Sequence, residues 1–239
     1  MTHCPRCSAP VTPDAAHCSA CGIALEVPSR PRVTLRVVRA DGGPETTMPL
    51  HGETLTCGKN GDIPILDDPF VAPVQVRFYF AGPHLAVEDA GGGNGVFVRL
   101  RQTLELPVGS ELRVGRQRLL LEGIPPPAVG RGGAIAWGSP DSGSRLRLIQ
   151  YLEGGLRGSA YPLKEGENSI GRESSDVSFP GDGFVSGKHA SVTASGDRAT
   201  VQDLGSSNGT FIRLTTPTYV NAGDQFLIGR QLLRVEIQP

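Results

Sequence analysis

Short runs in which apolar and polar residues alternate recur along most of the chain. Examples are VTLRVVRA, VQVRFYF and ELRVGRQRLLLEG in the first half, and RLRLIQYL, ATVQDL and DQFLIGRQLLRVEI in the second. A period of two is typical of a strand buried on one face, and no long segment shows the helical period with caps. The 32 glycines and 20 prolines indicate many turns between these runs. The pattern predicts an all-β protein.

The strand pattern is duplicated within the chain. Residues 70–122 align with residues 184–236 without a gap, with 17 identities in 53 positions, whereas chance would give about three or four at typical residue frequencies. Each copy is about 90 residues long, which is too long for a solenoid repeat and suits a complete β-sandwich. We therefore predict two tandem β-sandwich domains, over residues 32–123 and 145–239.

Two segments between the predicted domains are predicted to be linkers from their proline and glycine content. They are residues 26–31 and residues 124–144, and the second contains Trp137, the only tryptophan of the chain. Two interpretations of Trp137 stay open, because it can dock on a neighbouring domain or be an exposed linker residue.

Four of the five cysteines form two C-x-x-C pairs near the N-terminus: Cys4, Cys7, Cys18 and Cys21. Each pair can turn two thiolates towards one point, and two such knuckles form a tetrahedral sulfur site that suits Zn²⁺. Since four protein ligands leave no position for a substrate, the pattern predicts a small zinc ribbon over residues 1–25 with a structural metal. The alternatives are two surface disulfides, or replacement of one cysteine ligand by His3 or His17.

Charge and hydropathy narrow the classes of function. The net charge is −1, and residues 1–31 carry two basic and two acidic side chains. Binding to nucleic acid is therefore not expected, because a general nucleic-acid binder needs a cationic face. No apolar stretch is long enough to span a bilayer, and the N-terminal MTHCPRC lacks the apolar region of a signal peptide. We expect a cytoplasmic protein that does not insert into membranes.

Three short motifs in the second copy contain most of its candidate binding residues. The motifs are NSIGR, FVSGKHA and DLGSSNGTF, and the candidates within them are Gly171, Arg172, Ser186, Gly187, Lys188, His189, Ser207, Asn208 and Gly209. Arginine offers a phosphate two parallel hydrogen bonds, serine hydroxyls add short ones, and an asparagine amide can pair with a peptide backbone. Glycine-rich strand ends expose backbone N–H groups to a ligand. Taken singly, each residue also suits an ordinary role, such as an Asn-Gly turn.

The order G-R, S-x-x-H and N-G resembles the forkhead-associated (FHA) domain, and the resemblance covers residues 145–239. It implies a two-sheet β-sandwich with a phosphothreonine site on loops at one end. By position, Arg172 and Ser186 would hold the phosphate, and Ser207 would add a phosphate contact. Asn208 would bind the peptide backbone beside the phosphothreonine.

The same resemblance implies supporting roles for the remaining motif residues. His189 would brace the loop that carries the serine, and Gly171 and Gly209 would support the loop geometry. Gly187 stands where other members can carry a phosphate-contacting side chain, so only its N–H would help. Lys188 would add positive charge near the phosphate.

The first copy keeps this frame but changes its contacts. In the places of Arg172, Ser186, Gly187, His189 and Ser207 it carries Lys59, Ala72, Pro73, Gln75 and Gly93, while Asn94-Gly95 is kept. These changes remove the arginine fork, the hydroxyl, one backbone donor and the bracing histidine. The first copy therefore resembles a degenerate FHA domain, whose fold should persist without phosphopeptide binding. Cys57 is predicted to be a buried core residue.

These features predict an adaptor in Ser/Thr kinase signalling whose second copy binds a phosphothreonine-containing protein or peptide. The ligand can be a kinase target or a phosphorylated segment of this chain itself. The alternative is a nucleic-acid-associated protein led by the zinc ribbon, with the sandwiches as scaffold. An enzyme is not expected, because Ser186, Lys188 and His189 have no acid spaced to orient the histidine and no G-x-S-x-G setting.

Overall fold

The computed structural model describes residues 2–12, 15–25, 30–38, 44–126, 129–130 and 132–238. Its described part is all-β, as predicted, with one turn of 3-10 helix at Glu153–Gly155. The strands are, in chain order, β1 (Thr2–His3), β2 (Pro10–Val11), β3 (Arg32–Val38), β4 (Thr46–Pro49), β5 (Thr54–Gly58), β6 (Ile63–Pro64), β7 (Val76–Ala81), β8 (His84–Asp89), β9 (Phe97–Arg99), β10 (Leu104–Leu106), β11 (Glu111–Val114), β12 (Gln117–Gly123), β13 (Leu146–Tyr151), β14 (Arg157–Leu163), β15 (Gly166–Gly171), β16 (Val177–Ser178), β17 (Ala190–Ser195), β18 (Arg198–Asp203), β19 (Thr210–Arg213), β20 (Thr218–Tyr219), β21 (Gln225–Ile228) and β22 (Gln231–Gln238).

The chain forms two compact units whose boundaries differ from the predicted domain boundaries. One unit is Val96–Leu214, and the other combines Met1–Gly95 with Thr215–Pro239. The predicted division into residues 32–123 and 145–239 does not match these units, because the C-terminal strands of each copy pack in the unit of the other copy. The exchanged segments carry the same strand pattern, so each can complete either sandwich.

The Val96–Leu214 unit is a β-sandwich. One sheet has the order β14-β13-β12-β11-β19-β9, and the other has the order β10-β18-β17-β15-β16. Strands from the first copy complete both sheets, since β10 pairs with β18, β11 with β19 and β12 with β13. Leu112, Leu148, Ile170 and Val192 are fully buried in one core cluster, which shows that strands of both copies share this core.

The other unit has a similar arrangement. In it, β20, β21 and β22 occupy the positions that β10, β11 and β12 occupy in the Val96–Leu214 unit. Its sheets have the orders β21-β22-β3-β4 and β20-β8-β7-β5-β6. Phe78 of β7 contacts Phe226 of β21 edge to face, with ring centroids 5.5 Å apart. Cys57 is completely buried, which confirms its predicted place in the core, and burial raises the pKa of its thiol to about 12.

The described residues of the second predicted linker include an isolated bridge between Val129 and Ile135. Trp137 is 99% exposed, so it is a solvent-facing linker residue and not a docked one. Residues 26–29 of the first predicted linker, and residues 127, 128 and 131 of the second, lie outside the described residues. In the described part of the chain, no helix has the length and apolar character needed to cross a membrane.

Candidate functional site

Three loops of the Val96–Leu214 unit meet at one end of the sheet that contains β15, β17 and β18. The first loop follows β15, the second spans residues 182–189 before β17, and the third joins β18 to β19 over residues 204–209. Because β15, β17 and β18 are antiparallel neighbours, the end of β15, the start of β17 and the end of β18 share one edge. The three motifs of the second copy therefore lie together.

A backbone hydrogen bond joins the first loop to the second. The Arg172 N–H donates to the Ser186 carbonyl at 2.9 Å. A Cβ on Gly171 would lie 2.1 Å from the Gly187 carbonyl oxygen, so this close approach requires glycine. The Arg172 side chain is 44% exposed, and its Nε is 3.9 Å from the Glu173 carboxylate. An exposed contact of this length contributes little, so the guanidinium is accessible to a ligand.

His189 holds the second loop from within. Its Nδ1 accepts from the Ser186 N–H at 3.0 Å, which leaves the proton on Nε2, 3.1 Å from the Gly209 carbonyl. The imidazole is completely buried. Burial lowers the pKa of His189, although the bond to Gly209 and the carboxylates of Asp203 and Asp182 oppose this shift. The ring is therefore neutral, and its role is to fix the two loops.

The third loop contacts the second through Ser207 and Asn208. The Ser207 N–H donates to the Ser186 hydroxyl at 3.2 Å. The Asn208 side-chain Nδ2 donates to the Phe184 carbonyl at 2.8 Å. Gly209 follows with a φ of +84°, a left-handed conformation that glycine adopts without strain. The two loops are thus tied by one backbone donor and one side-chain donor.

Asp203 holds the third loop at its base. Its carboxylate accepts from the hydroxyls of Ser206 and Thr210 at 2.7 Å each, and the Ser206 hydroxyl accepts from the Gly209 N–H at 2.9 Å. Although burial acts to raise it, the pKa of Asp203 is lowered, because these two hydroxyls donate to the carboxylate. The loop is therefore preorganised before any ligand arrives.

The outer surface of the three loops carries hydrogen-bond donors and positive charge. Arg172, Lys188, Ser207 and Asn208 are exposed. Within the described residues, the Gly187 N–H has no protein acceptor. The Asn208 amide uses one N–H on the Phe184 carbonyl, which leaves its second N–H and its oxygen available to a ligand. Guanidinium, ammonium, hydroxyl and N–H groups around one point suit a phosphorylated side chain and its backbone.

Sequence reasoning missed two arginines at this end of the unit. The Nε of Arg99, on β9, lies 2.5 Å from the place of a Cβ on Gly209. The guanidinium of Arg116 lies over the Phe184 ring, 4.6 Å from its centroid. Both arginines are identical in the two aligned copies. The alignment does not show in which folded unit each arginine lies.

The loops at the corresponding end of the other unit keep the frame. Gln75 accepts from the Ala72 N–H at 3.2 Å and donates to the Gly95 carbonyl at 3.3 Å, which are the two bonds that His189 makes. The Asn94 amide again donates to a backbone carbonyl, at 2.9 Å. The prediction that the first copy lacks a bracing side chain is therefore wrong, because Gln75 makes both hydrogen bonds in place of the histidine. The serine hydroxyl has no counterpart at Ala72.

The Sγ atoms of the four N-terminal cysteines lie within 4.8 Å of one another. The Cys4–Cys21 and Cys7–Cys18 distances are both 3.6 Å. This exceeds the ~2.05 Å of a disulfide and is close to the ~3.8 Å edge of a tetrahedron with Zn–S bonds of about 2.3 Å. The cysteines can therefore hold a metal ion with tetrahedral geometry.

The backbone of the two cysteine knuckles is preorganised for this geometry. The Cys4 N–H donates to the Ala9 carbonyl, and the Cys18 N–H donates to the Ile23 carbonyl, both at 2.9 Å. The two histidines near the cysteines are exposed and lie outside the group of possible ligands found among the described residues. The donor set is thus four sulfurs, which leaves no open position on a tetrahedral ion.

Comparison with known proteins gives matches to FHA domain-containing proteins over part of the chain. FhaB of Mycobacterium tuberculosis, an FHA domain-containing protein, is 32% identical over 96 residues, which are 39% of this chain and 61% of FhaB. FhaB of Mycolicibacterium smegmatis is 31% identical over 96 residues. The matched part of the chain thus spans 61% of the length of these relatives.

Two solved structures illustrate the likeness. One, from a structural and functional analysis of phosphothreonine-dependent FHA domain interactions, is 30% identical with a TM-score of 0.25, over 39% of this chain and 98% of that chain. Mycobacterium tuberculosis EmbR, in complex with a low-affinity phosphopeptide, is 25% identical with a TM-score of 0.21, over 37% of this chain and 27% of that chain.

The family comparison matches residues 168–229 to the FHA domain. This stretch is continuous in sequence, but the structure places residues 168–214 in one unit and residues 215–229 in the other. The chain contains at least one FHA domain.

Proposed function

We propose that the three-loop site of the Val96–Leu214 unit binds phosphothreonine peptides and that the chain acts as an adaptor in Ser/Thr kinase signalling. The observation that carries the proposal is the preorganised set of donors around Ser186. Its hydroxyl accepts from the Ser207 N–H and its carbonyl accepts from the Arg172 N–H, so one residue joins all three loops. Arg172 and Ser186 hold the phosphate, Ser207, Lys188 and the Gly187 N–H add contacts, and Asn208 holds the peptide backbone.

The relatives support a role in binding, because the solved FHA structures include phosphothreonine-dependent interactions and a phosphopeptide complex. FHA domains are binding modules, and the proposal assigns no catalytic step to the serine or the histidine of the site. A cluster of four reduced thiols suits a reducing compartment, so we place this function in the cytoplasm. The phosphorylated ligand is a kinase target or a segment of another copy of this chain.

The test is titration of the full chain with a phosphothreonine peptide selected from a degenerate library, and with its unphosphorylated form. We expect only the phosphorylated peptide to bind. Arg172→Ala and Ser186→Ala each remove a charge-assisted hydrogen bond worth about 1.5–3 kcal/mol, which corresponds to about ten- to a hundredfold in affinity. Lys59→Ala, in the first copy, is the matched control and leaves binding unchanged. Full binding by Arg172→Ala would place the site elsewhere.

Affinity for the phosphopeptide is also expected to depend on pH. The second pKa of a phosphothreonine is near 6, and the Arg172 fork favours the dianion. Binding therefore weakens as the pH falls through about 6, which a titration series between about pH 7.5 and 5 measures. A constant affinity across this range would show that the site does not read the phosphate charge.

A further inference from the structure

The first copy supplies two cations to the loops of the second copy, and they lie beyond the residues assigned to the phosphate. We propose that Arg99 and Arg116 extend the site and bind an acidic side chain of the peptide near its phosphothreonine. This inference rests on the proposed function and adds to it a selectivity for peptides with aspartate or glutamate beside the phosphorylated residue.

Arg99 reaches the site along β9, which pairs with β19 so that Arg99 faces Phe211. Its guanidinium covers Gly209, with Nε 2.5 Å and Cζ 2.9 Å from the place of a glycine Cβ. A side chain at position 209 would displace the arginine. Because Gly209 directly follows Asn208, the guanidinium lies beside the residue that faces the peptide backbone.

Arg116 lies against Phe184, the residue whose carbonyl accepts from Asn208. Its N–H donates to the Asp182 carboxylate at 2.8 Å, and the Phe184 N–H donates to the second oxygen of that carboxylate at 2.9 Å. The guanidinium then stacks on the Phe184 ring, while the carbonyl of Phe184 accepts from Asn208. The arginine is exposed, so its outer donors face solvent next to the peptide-facing asparagine.

The charges around this surface favour an anionic ligand larger than one phosphate. The carboxylates of Asp182 and Asp203 are buried or half-buried and accept from residues of the fold. Glu173 is exposed, beside Arg172. With a phosphate bound at Arg172 and Lys188, the further cations near Asn208 are Arg116, which is exposed, and Arg99, which is half-buried against Gly209. A planar guanidinium pairs best with a carboxylate, which is the side chain that the proposal assigns there.

The repeat provides a counterpart for each arginine, and the counterpart of Arg116 serves as the control. Arg230 has the place of Arg116 in the other unit, where it stacks on Phe70 with 4.7 Å to the ring centroid. Arg213 corresponds to Arg99 and forms an ion pair with Glu111. If the exchange of strands did not occur, Arg230 would stand beside the phosphopeptide site. The pair Arg116→Ala and Arg230→Ala therefore also tests which copy completes the site.

The experiment uses the full chain and phosphothreonine peptide libraries. In each library, aspartate, alanine or lysine is fixed at one of the three positions before or after the phosphothreonine. We expect the wild-type chain to favour aspartate at one or more positions by about three- to fivefold, as for exposed ion pairs. Arg116→Ala and Arg99→Ala lose this preference and still bind the alanine libraries. Arg230→Ala keeps the wild-type pattern, and Arg116→Gln repeats the loss if the alanine variant does not fold.

Each outcome separates this inference from the proposed function. Binding of phosphothreonine without any preference for aspartate overturns the role of the arginines and leaves the proposed function intact. Loss of the preference in Arg230→Ala but not in Arg116→Ala overturns the assignment of these residues to the site. No binding of any phosphothreonine library overturns the proposed function together with the inference.

Discussion

His189 and Gln75 have the same position in the two copies and make the same two hydrogen bonds. The histidine bonds are 3.0 and 3.1 Å long, and the glutamine bonds are 3.2 and 3.3 Å long. Each side chain accepts from one loop and donates to another, so the geometry does not depend on an imidazole. Only the histidine titrates near neutral pH. A glutamine in its place can therefore keep the two hydrogen bonds while removing the titration.

We expect His189→Gln to preserve phosphopeptide binding and to flatten the pH dependence of stability. Burial lowers the pKa of His189 in the folded unit. Just below about pH 6.5 the unfolded chain therefore binds a proton at this imidazole, whereas the folded unit does not. The free energy of unfolding is thus fully present above about pH 6.5 and falls as the pH drops below it. Urea unfolding followed by circular dichroism, between about pH 7.5 and 5.5, measures this slope.

His189→Ala is the control for the hydrogen bonds themselves. It leaves the Ser186 N–H and the Gly209 carbonyl without their partner, and it should cost about 1–3 kcal/mol where the wild-type histidine is neutral. Below about pH 6.5 the difference from the wild-type chain should shrink, because only the wild-type chain loses stability through this titration. Equal pH slopes in the wild-type chain and His189→Gln would contradict the assigned titration.

At the scale of elements, the cysteine knuckles predict a bound metal. We expect one Zn²⁺ per chain under reducing conditions, because four clustered sulfurs complete a tetrahedral shell. Elemental analysis of purified protein measures it. Cys18→Ser should lower the zinc content below about half an equivalent, whereas Cys57→Ser should not change it, since Cys57 lies on β5 and is not part of the cysteine cluster. Four free thiols without metal in the wild-type chain would contradict the prediction.

The exchange of C-terminal strands between the two copies leads to a second prediction at the scale of elements. Glu105 of β10 faces Thr200 of β18, and Tyr219 of β20 faces Ala86 of β8. Without the exchange, the repeat would instead place residue 105 opposite residue 86. The double variant Glu105→Cys/Thr200→Cys should therefore form a cross-link within one chain, and Glu105→Cys/Ala86→Cys should not. Peptide mapping after mild oxidation identifies the bond, and the reverse result would show that the strands are not exchanged.

For the whole molecule, most of the architecture could be predicted from local pattern. Alternating residues indicated the strands, two C-x-x-C pairs indicated the cysteine cluster, and three motifs indicated the loops that meet around Ser186. These features are local, because a period of two or a turn glycine acts through neighbouring residues. The same local pattern could not show which copy supplies the last strands of each sandwich.

The glutamine that is repeated in β12 and β22 shows why the exchange escaped prediction. The Gln117 side-chain oxygen accepts from Gln150 at 2.8 Å. In the other unit, the buried oxygen of Gln231 has no partner among the described residues, because Val37 stands where Gln150 does. Without the exchange, Gln231 would meet Gln150 and Gln117 would face Val37. Both arrangements leave one glutamine unsatisfied, so this pairing does not discriminate between them.

Truncation of the chain after Leu214 tests the division of the whole molecule. The Val96–Leu214 unit contains all the strands of its sandwich and all three loops. A chain of residues 1–214 should therefore bind the phosphothreonine peptide with the affinity of the full chain. The other unit loses β20 to β22 and with them the contact of Phe78 with Phe226, so its amides should exchange hydrogen rapidly. Arg172→Ala in the truncated chain is the control and should not bind. If truncation abolished binding while the full chain bound, strands after Leu214 would belong to the site.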